Sequence, residues 1–257
     1  MQGSGRCSGG HRKPADRLSA RTFLVSAGVV LSLILGALGP GSTRAGDLGG
    51  DELPMALPAV GRAVSPRVAV RAEPRPEAKV RAVMKALRFD YRPTVFFVNG
   101  RRDTTEGEWY RIKIPGRPNG RIGWVNASRI RLIREAGPHR IVIDRGRRRI
   151  TLFRGDRAVL RSDVGVGTPD APTPLGNFYV TAAFRPDDDF LGPWAFETSA
   201  YAAISDWPRG GIVGLHGTSM PWTVGERASH GCIRVYNKVI RALKERVRPG
   251  TEIRIRA

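Results

Sequence analysis

From Arg67 onward, apolar and polar positions alternate in short runs, the period expected of strands that bury one face. Val68-Ala69-Val70 leads into Arg71, and Glu73-Pro74-Arg75-Pro76 interrupts the pattern. Lys79 to Val83 resumes it, and Thr94 to Val98 is β-branched and aromatic. Asn99-Gly100 predicts a tight hairpin turn. Glu108 to Ile114 alternates, and Asn119-Gly120 predicts a turn into a strand ending at Val125. Five short strands without a helix predict a small barrel over residues 66–135. Gly137-Pro138 marks a boundary, and a second set of strands follows over 139–256: Ile141–Asp144, Arg149–Phe153, Ala158–Val166, Asn177–Ala183, Gly211–Leu215 and Glu252–Ile255. Thr168 to Gly176 reads as a loop, and Phe184 to Trp207 as a long irregular stretch. One helix is predicted, Asn237 to Val247, with Val239, Ile240, Leu243 and Val247 on one face, Asn237 as its start signal and Pro249-Gly250 as its stop. The fold class is therefore mostly β: a small barrel, then a mostly antiparallel domain with one main helix.

Upstream of the strands the pattern changes. Residues 46–65 are rich in Gly, Pro and Ala, have no clear period, and read as a linker. Residues 1–45 read as an export signal or N-terminal anchor. Arg6, Arg12, Lys13, Arg17 and Arg21 form a basic leader, an apolar run follows from Phe23 to Leu38, and Thr43-Arg44-Ala45 ends in small residues suited to a signal peptidase. A membrane-spanning helix needs about 20 apolar residues, so this run is short for one. The remainder is expected to be extracytoplasmic, in the cell wall or periplasm, with membrane contact only through an uncleaved N-terminus. The chain carries a formal net charge of +20. Such a surface attracts polyanions. The arginines are scattered, and no zinc-finger or helix-turn-helix pattern accompanies them, so nucleic acid is not an expected partner. Wall polymers and anionic lipid are the polyanions available outside the cell.

The cysteine count sharpens the picture. There are two cysteines, Cys7 in the leader and Cys232. An exported mature chain would keep one thiol that cannot pair internally, which leaves an intermolecular bridge or a nucleophile. Cys232 lies in Ser229-His230-Gly231-Cys232-Ile233-Arg234, downstream of Gly214-Leu215-His216-Gly217-Thr218. A free thiol is only slightly ionised at neutral pH and needs a base beside it. His230 is two residues away; in an extended segment it shares a face with Cys232 but lies about 6–7 Å off along the chain, poorly aimed. His216 comes from a separate strand end and can be aimed at the sulfur, so it is the favoured base. Gly231 lets the chain turn tightly, making the amides of Cys232, Gly231 and His230 candidate oxyanion donors. Ser229 could hydrogen-bond within the loop.

Arg234 could hold a substrate carboxylate through its planar fork, or serve as a surface or helix-anchoring residue. A zinc site of His216, His230 and Cys232 is the competing chemistry, but no CxxC pair or HExxH helix supports it. No resolving cysteine exists for a redox thiol. Neither a metal nor another cofactor is expected.

Two resemblances follow from these residues. Val70-Arg71-Ala72-Glu73-Pro74, Glu108 to Ile112 and Gly120-Arg121-Ile122-Gly123-Trp124-Val125 resemble bacterial SH3-like domains, with Trp109 and Trp124 as barrel core or a binding face. Gly214 to Thr218 followed by Ser229 to Arg234 resembles the signature of L,D-transpeptidases with the YkuD-type catalytic domain. Ile141–Asp144, Ile150–Phe153, Gly165–Thr168 and Thr173–Phe178 agree with the usual start of such domains. Some branches of that family carry asparagine where Arg234 stands. The resemblance implies a β-sandwich with the site at the end of a groove. It implies that Cys232 attacks the carbonyl of a diamino acid at position three of a peptidoglycan tetrapeptide stem, releasing D-alanine and forming a thioester. The side-chain amine of a second stem then gives a 3–3 cross-link. His216 would manage the protons, held by a backbone carbonyl that falls at Gly217. Peptidoglycan stem peptides are the expected partners of a monomeric enzyme. An L,D-carboxypeptidase, in which water replaces the amine, and a non-catalytic wall-binding protein are the alternatives.

Overall fold

The computed structural model describes residues 55–203 and 208–257; the expected leader lies outside them. β1 (Ala59–Ala63), β2 (Arg67–Arg71), β3 (Val80–Lys85), β4 (Phe96–Thr104), β5 (Gly107–Lys113), β6 (Ile122–Asn126) and β7 (Ile130–Glu135) form one antiparallel sheet, ordered β3-β2-β6-β5-β4-β1-β7. Val68, Val70, Phe96, Val98, Tyr110, Ile112 and Val125 bury its inner face.

Two expectations fail here. β1 lies within the stretch read as linker and pairs with both β4 and β7. Ala59 and Val60 supply little alternation, and the long-range pairing decides their state. Asn99-Gly100 is not a turn; it lies inside β4, at a register shift opposite β5. The turn comes at residues 105–106. There the Thr104 hydroxyl accepts from the Glu106 N–H (3.1 Å) and donates to the Gly107 carbonyl (2.9 Å), and Gly107 takes φ 94°. Asn99 and Gly100 accommodate Arg111 instead. Its Nε donates to Asn99 Oδ1 at 3.2 Å, and a Cβ on Gly100 would lie 3.0 Å from that same nitrogen.

The second set comprises β8 (His139–Asp144), β9 (Arg149–Arg154), β10 (Arg157–Asp163), β11 (Val166–Gly167), β12 (Gly176–Phe184), β13 (Ala195–Tyr201), β14 (Ile212–His216), β15 (Arg227–Ser229), β16 (Ile233–Arg234), α1 (Asn237–Lys244) and β17 (Glu252–Arg256). Eight strands run in the order β10-β9-β8-β17-β12-β13-β14-β16, and β11 pairs with β15 as a short ribbon. The β8–β17 and β14–β16 pairs are parallel, unlike the remainder of the ladder. Ile150 and Leu152 of β9, Val213 and Leu215 of β14, and Ile233 of β16 enter one core, so the ladder wraps around it. Val239, Ile240 and Leu243 of α1 join that core. The domain is mostly β with one helix. Among the described residues no helix is long and apolar enough to cross a membrane.

β13 falls in the stretch read as irregular. Glu197, Thr198 and Ser199 are buried there, and each has a partner distant in sequence. Glu197 accepts from the Arg88 guanidinium, Thr198 Oγ1 donates to the Val213 carbonyl (2.8 Å), and Ser199 Oγ accepts from the Tyr179 N–H (3.1 Å). Burial of polar groups is tolerable only when each is hydrogen-bonded.

The two sheets share a small core of Val60, Val95, Phe97 and Ala136 with Tyr179. Phe97 stacks on Tyr179 with centroids 5.1 Å apart, and the Tyr179 hydroxyl donates to the Val95 carbonyl at 3.1 Å. Fully burying a side chain such as Phe97 contributes about 1.5–3 kcal/mol. Lys113 Nζ reaches Glu252 Oε1 at 3.2 Å across the same junction.

Candidate active site

β14 delivers the histidine. Along Ile212-Val213-Gly214-Leu215-His216, Val213 and Leu215 point into the core, so Gly214 and His216 share the opposite face. β16 runs parallel to it, with Leu215 opposite Ile233 and His216 opposite Arg234. Cys232 immediately precedes β16 and reaches the same place. A Cβ on Gly214 would lie 3.5 Å from His216 Cδ2 and 3.7 Å from Cys232 Sγ, so imidazole and thiol flank one point. The Gly214 N–H donates to Sγ at 3.4 Å. That donor was not foreseen, because a backbone amide leaves no mark on residue type.

The loop that carries Cys232 is held by side-chain hydrogen bonds. Ser229 is buried; its Oγ donates to the Cys232 carbonyl at 2.6 Å and accepts from the Gly231 N–H at 3.1 Å. The Gly231 amide is thereby engaged within the loop. Gly231 takes φ 113°, and a Cβ there would lie 2.9 Å from Ala202 Cβ, so only glycine fits. Its carbonyl accepts from Thr173 Oγ1 at 2.9 Å, which itself accepts from the Gly167 N–H at 2.9 Å. Thr173 was not singled out from sequence; its buried bridging role needs the fold to bring Gly167 and Gly231 together. His230 is exposed.

His216 is 3% exposed, and its Nδ1 meets the Gly217 carbonyl at 2.5 Å. A carbonyl only accepts, so Nδ1 carries the proton and Nε2 keeps a lone pair. Burial, reinforced by the Arg234 charge and opposed by the Gly217 bond, pushes the imidazole down to about 4. Burial also pushes the Cys232 thiol up, while the Gly214 N–H and Arg234 pull it partly back. Both shifts disfavour a thiolate–imidazolium pair at rest. The arrangement suits proton transfer as the sulfur attacks, with charge developing only at that moment.

Arg234 is 8% exposed, which removes the surface alternative. Its guanidinium lies 4.9 Å from the Phe190 ring centroid, and its buried Nε has no hydrogen-bond partner. Phe190 in turn lies 6.5 Å from the His216 ring. Among the described residues no three His, Cys, Asp or Glu side chains converge as a metal site.

Residues 138–255 match the family model YkuD, the L,D-transpeptidase catalytic domain. The chain is 29% identical over 119 residues to the protein named "Putative L,D-transpeptidase YkuD" of Bacillus subtilis (strain 168), covering 46% of this chain and 66% of that relative. It is 37% identical over 68 residues to "Probable L,D-transpeptidase YcfS" of Escherichia coli (strain K12), covering 26% of this chain and 19% of that relative. Among solved structures, an L,D-transpeptidase from Mycobacterium smegmatis is similar at 16% identity and a TM-score of 0.41, covering 58% of this chain and 90% of that one. The Enterococcus faecium L,D-transpeptidase C442S mutant is similar at 23% identity and a TM-score of 0.36, covering 46% and 50%. Over residues 138–255 this chain is similar to L,D-transpeptidase catalytic domains of the YkuD type, and it spans just under two thirds of the length of the Bacillus subtilis relative.

Proposed function

We propose that this protein is an exported cysteine L,D-transpeptidase that forms 3–3 cross-links in peptidoglycan. One observation carries the reading: Cys232 Sγ and the His216 ring flank a single point on β14, with the Gly214 N–H on the sulfur and His216 Nδ1 committed to the Gly217 carbonyl. Sγ attacks the carbonyl of the third stem residue while Nε2 of His216 takes the thiol proton. The imidazolium then returns that proton to the departing D-alanine amine, leaving a thioester on Cys232. In the second half the side-chain amine of an acceptor stem attacks the thioester, His216 accepts its proton, and the thiol is restored. The amides of Cys232 and His230 are the candidate oxyanion donors, with Ser229, Gly231 and Gly217 shaping the loop and the base. Arg234, desolvated and incompletely partnered, binds the substrate carboxylate.

The N-terminal sheet, β1 to β7, is read as an SH3-like module that brings the enzyme to the wall. Its many short antiparallel strands support this. The test is direct. Purified protein is incubated with tetrapeptide stems and with a carbapenem, and the mass of the intact chain is measured. Wild type should gain one acyl adduct and Cys232→Ala none. Absence of both adduct and stem conversion in wild type overturns the proposal. Release of tripeptide without cross-linked dimer would assign the carboxypeptidase reaction instead.

A further inference from the structure

We propose that Asn237 is the positioning residue that sets the tautomer and aim of His216, an inference that rests on the catalytic reading above. Asn237 opens α1, where sequence pattern assigns it to starting the helix. The helix does begin there, but the capping position is Tyr236 and no side chain caps the end. The Asn237 amide serves the active site instead. Its Oδ1 accepts from the Thr218 N–H at 2.9 Å. The same oxygen packs against two glycines: a Cβ on Gly217 would lie 2.4 Å from it, and one on Gly192 2.5 Å.

These contacts fix the peptide that orients the base. The Gly217 N–H donates to the Trp194 carbonyl at 3.2 Å. The next amide, Thr218 N–H, is held by Asn237. The peptides on both sides of Gly217 are therefore held, and the second, Gly217–Thr218, fixed by Asn237, carries the carbonyl that receives His216 Nδ1 at 2.5 Å. Glycine at 217 would otherwise leave this peptide free to rotate. Without the anchor the carbonyl can swing away and the imidazole loses its preference for the Nδ1–H form. A neutral imidazole protonated on the wrong nitrogen presents a donor, not an acceptor, to the thiol. At metal sites, partners that orient a ligating histidine from one step away are commonly worth about 10–100-fold in activity, and the same scale is expected of an orienting contact here.

The test compares wild type, Asn237→Ala and Asn237→Asp. The readouts are His216 long-range ¹⁵N–¹H correlations, the rate of carbapenem acylation against pH, and thermal unfolding to establish that each variant folds. Wild type should show the Nδ1–H tautomer. Asn237→Ala should show mixed tautomers and acylate about 10–100-fold more slowly. Asn237→Asp keeps an acceptor for Thr218, so it should retain the Nδ1–H tautomer and recover most of the rate. Its carboxylate should move the acid limb of the profile upward by favouring the imidazolium. Folded Asn237→Ala with wild-type correlations and rate overturns the proposal, as does folded Asn237→Asp that has lost the tautomer. Should Asn237→Ala not fold, the Asp variant alone decides. If wild type forms no acyl-enzyme, the reaction assignment fails, while the tautomer measurements still judge Asn237.

Discussion

Arg117, in the loop between β5 and β6, grips the carbonyl of Ala202 with Nε at 2.8 Å and Nη2 at 2.5 Å. Its Nη1 reaches the Gly210 carbonyl at 2.9 Å, and its guanidinium lies 5.5 Å from the Tyr201 ring centroid. Asn119 adds reciprocal bonds with the Tyr201 backbone, at 2.7 and 2.9 Å. Ala202 is the residue whose Cβ abuts Gly231. The N-terminal sheet thus supports the wall behind the Cys232 loop. Arg117→Ala should cost about 1.5–3 kcal/mol, the range for hydrogen bonds to a charged group, and slow acylation of Cys232. Urea unfolding and carbapenem acylation measure the two effects. An acylation rate equal to wild type would limit Arg117 to stability.

The Arg88–Glu197 pair crosses the junction of the two sheets, with side chains 12% and 5% exposed. Removing one partner of such a pair leaves a buried charge, a loss of about 3–5 kcal/mol. Arg88→Met should therefore destabilise strongly, whereas the double variant Arg88→Met with Glu197→Gln should lose much less than the sum of the single changes. A double-mutant cycle by urea unfolding measures this, and simple additivity would refute coupling.

Thr173→Val keeps volume and shape but removes the hydroxyl that links Gly167 to Gly231. It leaves a buried N–H and a carbonyl without that partner, at about 1–3 kcal/mol for each group. Acylation should slow as the loop at Gly231 loses its tether. Unchanged unfolding midpoint and rate would show that the bridge carries no weight.

The pH profile follows from the signs at His216 and Cys232. With the imidazole held near 4, the base stays neutral well below its ordinary range, so the acid limb of acylation should lie near 4 rather than near 6.5. The same shift makes the folded state bind this proton less readily than the unfolded chain. Its contribution to stability is present above the ordinary value and is lost as pH falls through the folded one. Arg234→Met removes a positive charge that lowers both groups, so both limbs of the profile should move upward. Stopped-flow acylation across pH tests this; limbs that stay in place would exclude electrostatic control by Arg234.

Local pattern sufficed wherever one segment carries its own signal. Val239, Ile240 and Leu243 mark the buried face of α1 by their spacing, and Ile141 with Ile143 or Ile253 with Ile255 mark strands by alternation. Ser229 to Arg234 and Gly214 to Thr218 mark the proposed nucleophile and base through residue types at short range. Tertiary structure decided what depends on distant partners. β13 reads as irregular because Glu197, Thr198 and Ser199 break its apolar run, and they become strand residues only where Arg88, Val213 and Tyr179 satisfy them. Asn99-Gly100 carries a turn signal that the pairing of β4 with β5 overrides. Thr173, Asn237 and the Gly214 N–H acquire their places at the site from neighbours 18 to 58 positions away along the chain. A hydrogen bond is set by position in space, and the sequence encodes it only through the fold that brings donor and acceptor together.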